Sequence, residues 1–395
     1  MPDYMIKPYD VLFFRGNKSF HFGAWRTEGV FPPFPSTFQG FIRNKLLLDS
    51  NLIDAGGKLK DTIDAKKQVE QIGDDKNIGV DITGPYLMSA DTGEIYFRTP
   101  SDLFRKAAGC DMCYSAFPLK IEPLESDHGF DLCCPNIPDG KLDNLYPSEF
   151  ISLSEICDYR LSLEGIKIIG KELCVTEDRV GIALDTAKLR ANNRTVEENK
   201  FYTTPYNRLR DSIGFYCNVD KPLKNGALKF GSESHLVHVS SIAADSIIEQ
   251  KLRQSREALI SGIIKTKTFR LILLQHGIFE HGWTPFKQKE EKRNIFETDG
   301  LKLELLFAFT QPPLRISGYS FEKNTATTKQ QGISLKPMKN AVPAGAVYMF
   351  RMSDEATEDA IKTFVEKYDN RKIEKNTRYS KMGFNHVILG NGHKL

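Results

Sequence analysis

The chain has 395 residues, with 54 basic and 51 acidic side chains and a formal net charge of +3. With 40% hydrophobic and 27% charged residues it has the composition of an ordinary globular protein and enough length for two domains. The charge balance excludes a histone-like coat and leaves room for a focused basic groove. No apolar run approaches the ~20 residues of a membrane helix.

In chain order, residues 5–14 read as a strand ending in Val11, Leu12, Phe13 and Phe14, followed by Arg15, Lys18 and His21. In FPPFPSTFQGFIR (31–43) the prolines bar a helix upstream, and Phe38, Phe41, Ile42 and Leu46 then recur at helical spacing. This predicts a helix over 36–48 with Ser36 and Thr37 at its cap. Such an end offers free N–H groups and a partial positive charge to a phosphate. Residues 50–80 are polar and read as a surface excursion. Residues 80–88 and 94–98 read as strands around the turn Asp91-Thr92-Gly93. A strand, a helix and a hairpin make the first half of a ferredoxin-like unit.

Residues 109–150 are rich in Pro, Asp and Cys and read as an insertion. Residues 180–184 and 201–210 read as the arms of a long hairpin, with strands at 213–219 and 236–239 and a helix over 243–260. The pattern restarts with strands at 268–274, 301–309 and 345–351. A helix over 354–368, capped by Ser353, carries Ala360, Ile361, Phe364 and Val365 on one face. GFNHVILGNG (383–392) reads as a strand between glycine-bearing turns. The class is α+β.

Charge is clumped. Residues 186–210 hold six basic side chains against two acidic ones, a local +4, and residues 371–395 hold six against one, a local +5. Such clusters are the footprint of a nucleic-acid binder, although solvated loops carry them too. The N-terminal MPDYMIKPYD has no signal-peptide core, and seven cysteines form no regular framework, so a reducing cytoplasm is the expected compartment.

The block PYDVLFFRGNKSFHFGAW (8–25) followed by FPPFPSTFQGFIRNKLL (31–47) resembles the N-terminus of one CRISPR family. That family is the RAMP-type subunit of type III-B (Cmr) effector complexes that holds the 5′ tag of the guide RNA. Matches continue through EDRVGIALD (177–185), GALKFG (226–231), Gly318-Tyr319, Lys336-Pro337, AVPAGAVY (341–348) and Gly383-Phe384-Asn385. The chain departs from the pattern at Ser232-Glu233-Ser234, where a second glycine before an acidic and a basic residue is expected. Residues 109–144 match nothing.

The resemblance implies two ferredoxin-like (RRM-like) RAMP domains. One spans 1–245, with insertions at about 50–80 and 109–150 and the hairpin 179–210; the other spans 246–395 and ends in a Gly-rich loop. It implies a non-catalytic, cofactor-free subunit that caps the crRNA 5′ tag in antiviral defence. Its partners would be the crRNA, the large polymerase-like subunit and a backbone RAMP subunit, with no small-molecule substrate and no membrane.

Candidate RNA contacts begin with Arg15, Lys18 and His21 after the first strand; Arg15 can fork onto a phosphate or a guanine edge. Ser36, Thr37 and Gln39 form a candidate phosphate cradle, with Arg43 one turn on. Trp25 beside Arg26 offers a stacking surface, although a core tryptophan is the commoner outcome. Arg179, Lys188 and Arg190 lie on the hairpin, which resembles the RAMP thumb. Gly383, Asn385, His386, Gly390 and Asn391 resemble the superfamily's glycine-rich loop, where backbone approaches phosphate and Asn reads base edges.

Cys110, Cys113, Cys133 and Cys134, with His128 between, are candidate ligands of a structural zinc, but adjacency in the second pair makes chelation by both awkward. No P-loop, GxSxG or HExxH is present. One enzymatic alternative remains, a metal-independent RAMP endoribonuclease in which His21, near Tyr9 or Lys18, activates a ribose 2′-OH. A protein-only scaffold is the third reading.

Overall fold

The structure, a computed structural model, describes residues 1–16, 26–53, 60, 70–73, 78–105, 113–118, 120–124, 132–136, 150–184, 196–288, 294–322 and 332–393. It is a mixed α/β fold rich in antiparallel sheet, and the main elements run as follows. β1 (Pro2–Pro8) leads to helix α1 (Pro35–Asp49), β2 (Ile82–Ser89), β3 (Ile95–Arg98), β4 (Phe150–Ser152) and α2 (Leu153–Leu161). β5 (Cys174–Leu184) and β6 (Val196–Leu209) form the hairpin, followed by β7 (Ile213–Val219), β8 (Gly226–Phe230) and β9 (His235–Asp245). α3 (Ile247–Arg253) and α4 (Arg256–Thr266) precede β10 (Thr268–Leu273), β11 (Ile295–Thr298), β12 (Leu301–Phe309) and β13 (Val347–Met352). α5 (Glu358–Tyr368), β14 (Arg371–Lys372), α6 (Arg378–Met382) and β15 (His386–Asn391) complete the order.

Among the described residues a seven-stranded sheet has the order β8-β9-β1-β7-β2-β3-β4, and a six-stranded sheet the order β11-β12-β13-β10-β15-β14. Every neighbouring pair in both is antiparallel. The first sheet packs its inner face, with Ile6, Phe215 and Val239, against Phe38, Phe41 and Ile42 of α1. The second packs Phe269, Leu271 and Phe350 against Leu259 and Ile263 of α4 and Ile361 and Phe364 of α5. A third apolar cluster joins the two halves, with Tyr86, Phe97 and Ile156 from the first and Ile272, Val347 and Ile388 from the second.

Three elements differ from expectation. β1 ends at Pro8, and Val11 to Phe14 leave the sheet while staying buried. Proline cannot donate to the ladder, and the chain turns away to form a bridge between Leu12 and Asn207 of the hairpin. The stretch read as one helix over 243–260 is the end of β9 followed by two helices. Ser246, in the left-handed region at φ 55°, separates strand from helix, and Ser255 (φ −104°, ψ 2°) separates α3 from α4. α5 starts at Glu358 rather than near 354. Thr357 caps it by accepting from the Ala360 N–H, and Glu358 and Asp359 complement the dipole of the first turn.

Candidate nucleic-acid interface

Helix α1 begins at Pro35 with Phe34 as its N-cap, so Ser36 and Thr37 do not occupy the cap position. Proline suits the first helical position because its missing N–H would find no intrahelical partner. The phosphate cradle expected at this end is thereby reduced. Pro35 has no N–H to offer, the Thr37 N–H donates to the Phe34 carbonyl at 2.9 Å, and Gln39 is turned into the core at 4% exposure. Arg43 reaches away, its guanidinium donating to the Gly73 carbonyl.

The exposed face of α1 carries more. Thr37, Gly40 and Asn44 lie along it at helical spacing. With Arg15, Lys229 and Ser232 they line a groove of about 390 Å³. Its floor is aromatic, with Phe14 and Phe41 against Phe230 at ring separations of 4.9 and 4.4 Å. Arg15 is placed by a bridge to Gly29, and Lys229 stands outward between buried Leu228 and Phe230 on β8. An added Cβ at Gly40 would meet nothing within 4 Å. Glycine in a helix interior costs about 1 kcal/mol relative to alanine, and nothing among the described residues requires it there.

Sequence reasoning brought Arg15 and Thr37 to this groove and missed Gly40, Asn44, Lys229 and Ser232. Two signals were present. Lys229 alternates with apolar neighbours as an outward strand residue does, and Asn44 is two turns on from Thr37.

Arg179 does not reach the groove. It lies midway along the hairpin, opposite Thr204, 3.3 Å from Glu177, 3.8 Å from Asp10 and with its guanidinium 4.9 Å above the Tyr206 ring. Arg208 also binds Glu177, and lies 2.9 Å from Asp10. The hydrogen bond from Arg208, aided by Arg179, holds the Glu177 carboxyl below its usual range. Arg26 pairs with Asp178 at 2.9 Å, on the opposite face of the hairpin because side chains alternate along the strand. These charges clamp the hairpin to the loop after β1.

Of the C-terminal candidates Gly383, Asn385, His386 and Gly390 are buried and Asn391 is half-buried, which corrects the expectation of a glycine-rich RNA loop. Asn385, fully buried, accepts from the Ile278 N–H at 2.7 Å and donates to the Ile278 carbonyl and Ser380 Oγ at 3.1 and 3.0 Å. His386, 2% exposed, bonds Tyr86 Oη through Nδ1 at 2.5 Å and Asn370 Oδ1 through Nε2 at 2.9 Å. Burial, with Lys372 and Arg371 nearby, pushes its imidazole down to about 3. Gly383 sits where a Cβ would lie 2.4 Å from the Gly84 carbonyl, against Pro35 of α1. Gly390 packs on Arg160, and Asn391 donates to the Leu161 carbonyl at 3.2 Å. The physical reason is that β15 is covered by α2, α4 and α5, so its backbone faces protein.

Lys18, His21, Trp25, Lys188, Arg190, Cys110 and His128 lie outside the described residues. The backbone places Cys113 on a strand paired with Ile166–Ile169, and Cys133 and Cys134 on a separate two-stranded sheet. Among the described residues one group brings potential metal ligands together, Glu280, His281 and Glu374, with ligand atoms within 4.8 Å of one another.

No curated protein matches the chain. Among solved structures, it is similar to a chain in the cryo-EM structure of the type III-B Cmr-beta bound to cognate target RNA. The two are 12% identical, with 98% of this chain and 96% of that one covered and a TM-score of 0.43. A second such structure, with AMPPnP, gives 14%, 98%, 95% and 0.42. The crystal structure of the Csm3-Csm4 subcomplex in the type III-A CRISPR-Cas interference complex gives 12%, 88%, 92% and 0.36. The family model of CRISPR-associated protein (Cas_Cmr3) matches residues 4–392, nearly the whole chain, and the protein belongs to this family.

Proposed function

We propose that this protein is a non-catalytic RNA-binding subunit of a type III-B CRISPR effector complex, capping the 5′ tag of crRNA in cytoplasmic antiviral defence. The observation that carries the reading is the α1 groove. Arg15 and Lys229 approach it from two different elements and suit phosphates, while exposed Asn44 has the donor and acceptor needed to read a base edge. Gly40 between them allows a sugar–phosphate chain to lie against the helix backbone. The large polymerase-like subunit and a backbone RAMP subunit are the partners this role requires.

Two ferredoxin-like units, divided near residue 245, are part of the proposal. In the first sheet β9-β1-β7-β2 follow the order fourth-first-third-second within their unit, and in the second β15-β10-β13-β12 do the same. The first unit keeps the helix after its first strand, α1, and the second keeps the helix after its third, α5.

The test is binding of the full-length chain to an end-labelled guide RNA with and without its 5′ tag, in EDTA at near-physiological salt. Tag-dependent retention of intact RNA, weakened by Arg15→Ala and Lys229→Ala, is expected. Equal binding of tagged and untagged RNA would overturn the capping role. Cleavage in EDTA abolished by His21→Ala would overturn the non-catalytic one.

A further inference from the structure

A second, larger groove of about 1150 Å³ opens in the C-terminal half. Trp283 and Met338 line it at 53% and 57% exposure, unusual for side chains of that size. Trp283 is held in place: its ring stacks on Tyr348 at 6.1 Å and 22°, and its carbonyl accepts from Tyr348 Oη at 2.5 Å. Lys339, Lys375 and Arg378 line the same groove, and none of the three has a carboxylate partner among the described residues. Elsewhere in the C-terminal half cations are paired, Arg351 with Glu304 and Lys367 with Asp299. Glu280 and Glu374 also line the groove, and Glu374 Oε1 accepts from the Glu280 N–H at 3.0 Å.

One apolar cluster underlies both grooves. Phe34, which lines the α1 groove, packs in one apolar cluster with Ile278, Ala341 and Tyr379, which line the second. A rigid exposed indole bordered by cations is the composition of a single-stranded nucleic-acid groove. The groove lining carries three cations against the carboxylates of Glu280 and Glu374; a protein partner would have to desolvate these charges, two of them lysines, which protein interfaces disfavour, whereas a phosphate chain pairs with the cations.

We infer that this groove binds single-stranded RNA continuing from the α1 groove, with Trp283 stacking a base and Lys339, Lys375 and Arg378 meeting phosphates. The inference rests on the reading of this chain as RNA-binding. Its test uses full-length protein carrying Trp25→Phe, which leaves Trp283 as the remaining tryptophan of the two in the sequence. The probes are a short tag oligonucleotide and a long guide RNA.

The long RNA is expected to quench Trp283 emission as it saturates. Trp283→Ala should weaken its binding about tenfold, while Trp283→Phe retains most of the affinity and the short oligonucleotide is indifferent to both. Replacing Lys339 and Lys375 by alanine should make the salt dependence of long-RNA binding shallower, by about 0.7 for each phosphate no longer neutralised. Long RNA that binds without quenching and with equal affinity to Trp283→Ala overturns the inference while leaving the α1 groove intact. Loss of bound subunits from Trp283→Ala with RNA affinity unchanged identifies a protein-docking face and overturns it too. Indifference of every RNA to Arg15→Ala and Lys229→Ala as well overturns the RNA-binding reading itself.

Discussion

Arg160 and Asp369 form an ion pair in which neither side chain is exposed to solvent. The two guanidinium Nη atoms donate to the two carboxylate oxygens, each at 3.2 Å, and Arg256 Nε and the Leu389 N–H bind the same carboxylate. Arg160 comes from α2 and Asp369 follows α5, so the pair ties the first half of the chain to the second sheet. Beside it, buried Arg270 lies 3.4 Å from Asp102 and 4.2 Å from the Tyr159 ring centre, and Gln275 donates to the Pro85 carbonyl at 3.0 Å.

Asp369→Ala would leave Arg160 charged and buried with no anion. The expected loss is about 3–5 kcal/mol, read as a fall in the urea midpoint. Replacing both partners, Arg160→Met with Asp369→Leu, should cost less than the single change, because no uncompensated charge remains. A double variant weaker than Asp369→Ala would contradict this account of the joint.

His386 makes stability depend on pH. Its imidazole is held down to about 3, against 6.5 ordinarily, so the unfolded chain takes up a proton that the folded chain refuses. Stability is therefore fully present above about pH 6.5 and is lost as pH falls toward 3, by about 1.4 kcal/mol per pH unit for this one group. His276 acts in the same direction, pushed down to about 3 by burial. His386→Gln removes one titration. Its stability, measured by denaturant unfolding across that window, should fall less steeply with acid than that of the wild type.

Gly40→Ala separates folding from binding. The added methyl meets nothing within 4 Å among the described residues, so thermal unfolding should move upward, by about 1 kcal/mol in free energy. Guide-RNA affinity should drop, because the methyl occupies space reserved for a chain lying on the helix. A variant that is more stable and binds as well as wild type removes α1 from the RNA path.

Asn385→Ala should lower stability by about 2 kcal/mol or more, since it strips partners from buried Ile278 backbone groups and Ser380. It also places alanine at φ 64°, where asparagine is tolerated better. Discrimination between correct and scrambled tags, measured on the folded fraction, should be unchanged. Altered tag preference would return Asn385 to the interface.

Much of the fold was legible because its signals are local. The periodicity of Phe38, Phe41, Ile42 and Leu46 predicts α1, and the turn at Asp91-Thr92-Gly93 predicts the β2–β3 hairpin. The pairing of the long hairpin follows as expected, with Val180 opposite Thr203. The cap of α5 was misplaced because Ser353 and Thr357 are chemically equivalent candidates, and only the packing of the helix chooses between them.

The sequence by itself determined helix α1, most of the strands and the family, since propensity, periodicity and motif order reside in neighbouring residues. Tertiary structure decided which polar residues face outward. GFNHVILGNG has the glycines and asparagines of a binding loop, yet helices from both halves cover it, and Gly383, Asn385, His386 and Gly390 are all buried. Arg15 and Lys229 are far apart in sequence and ordinary alone, and line one groove because β8 and the loop after β1 converge on one face of α1. Burial and partnership depend on contacts distant in the chain, so no local pattern of residue types distinguishes a cation clamped by carboxylates, as Arg179 is, from one that lines a groove.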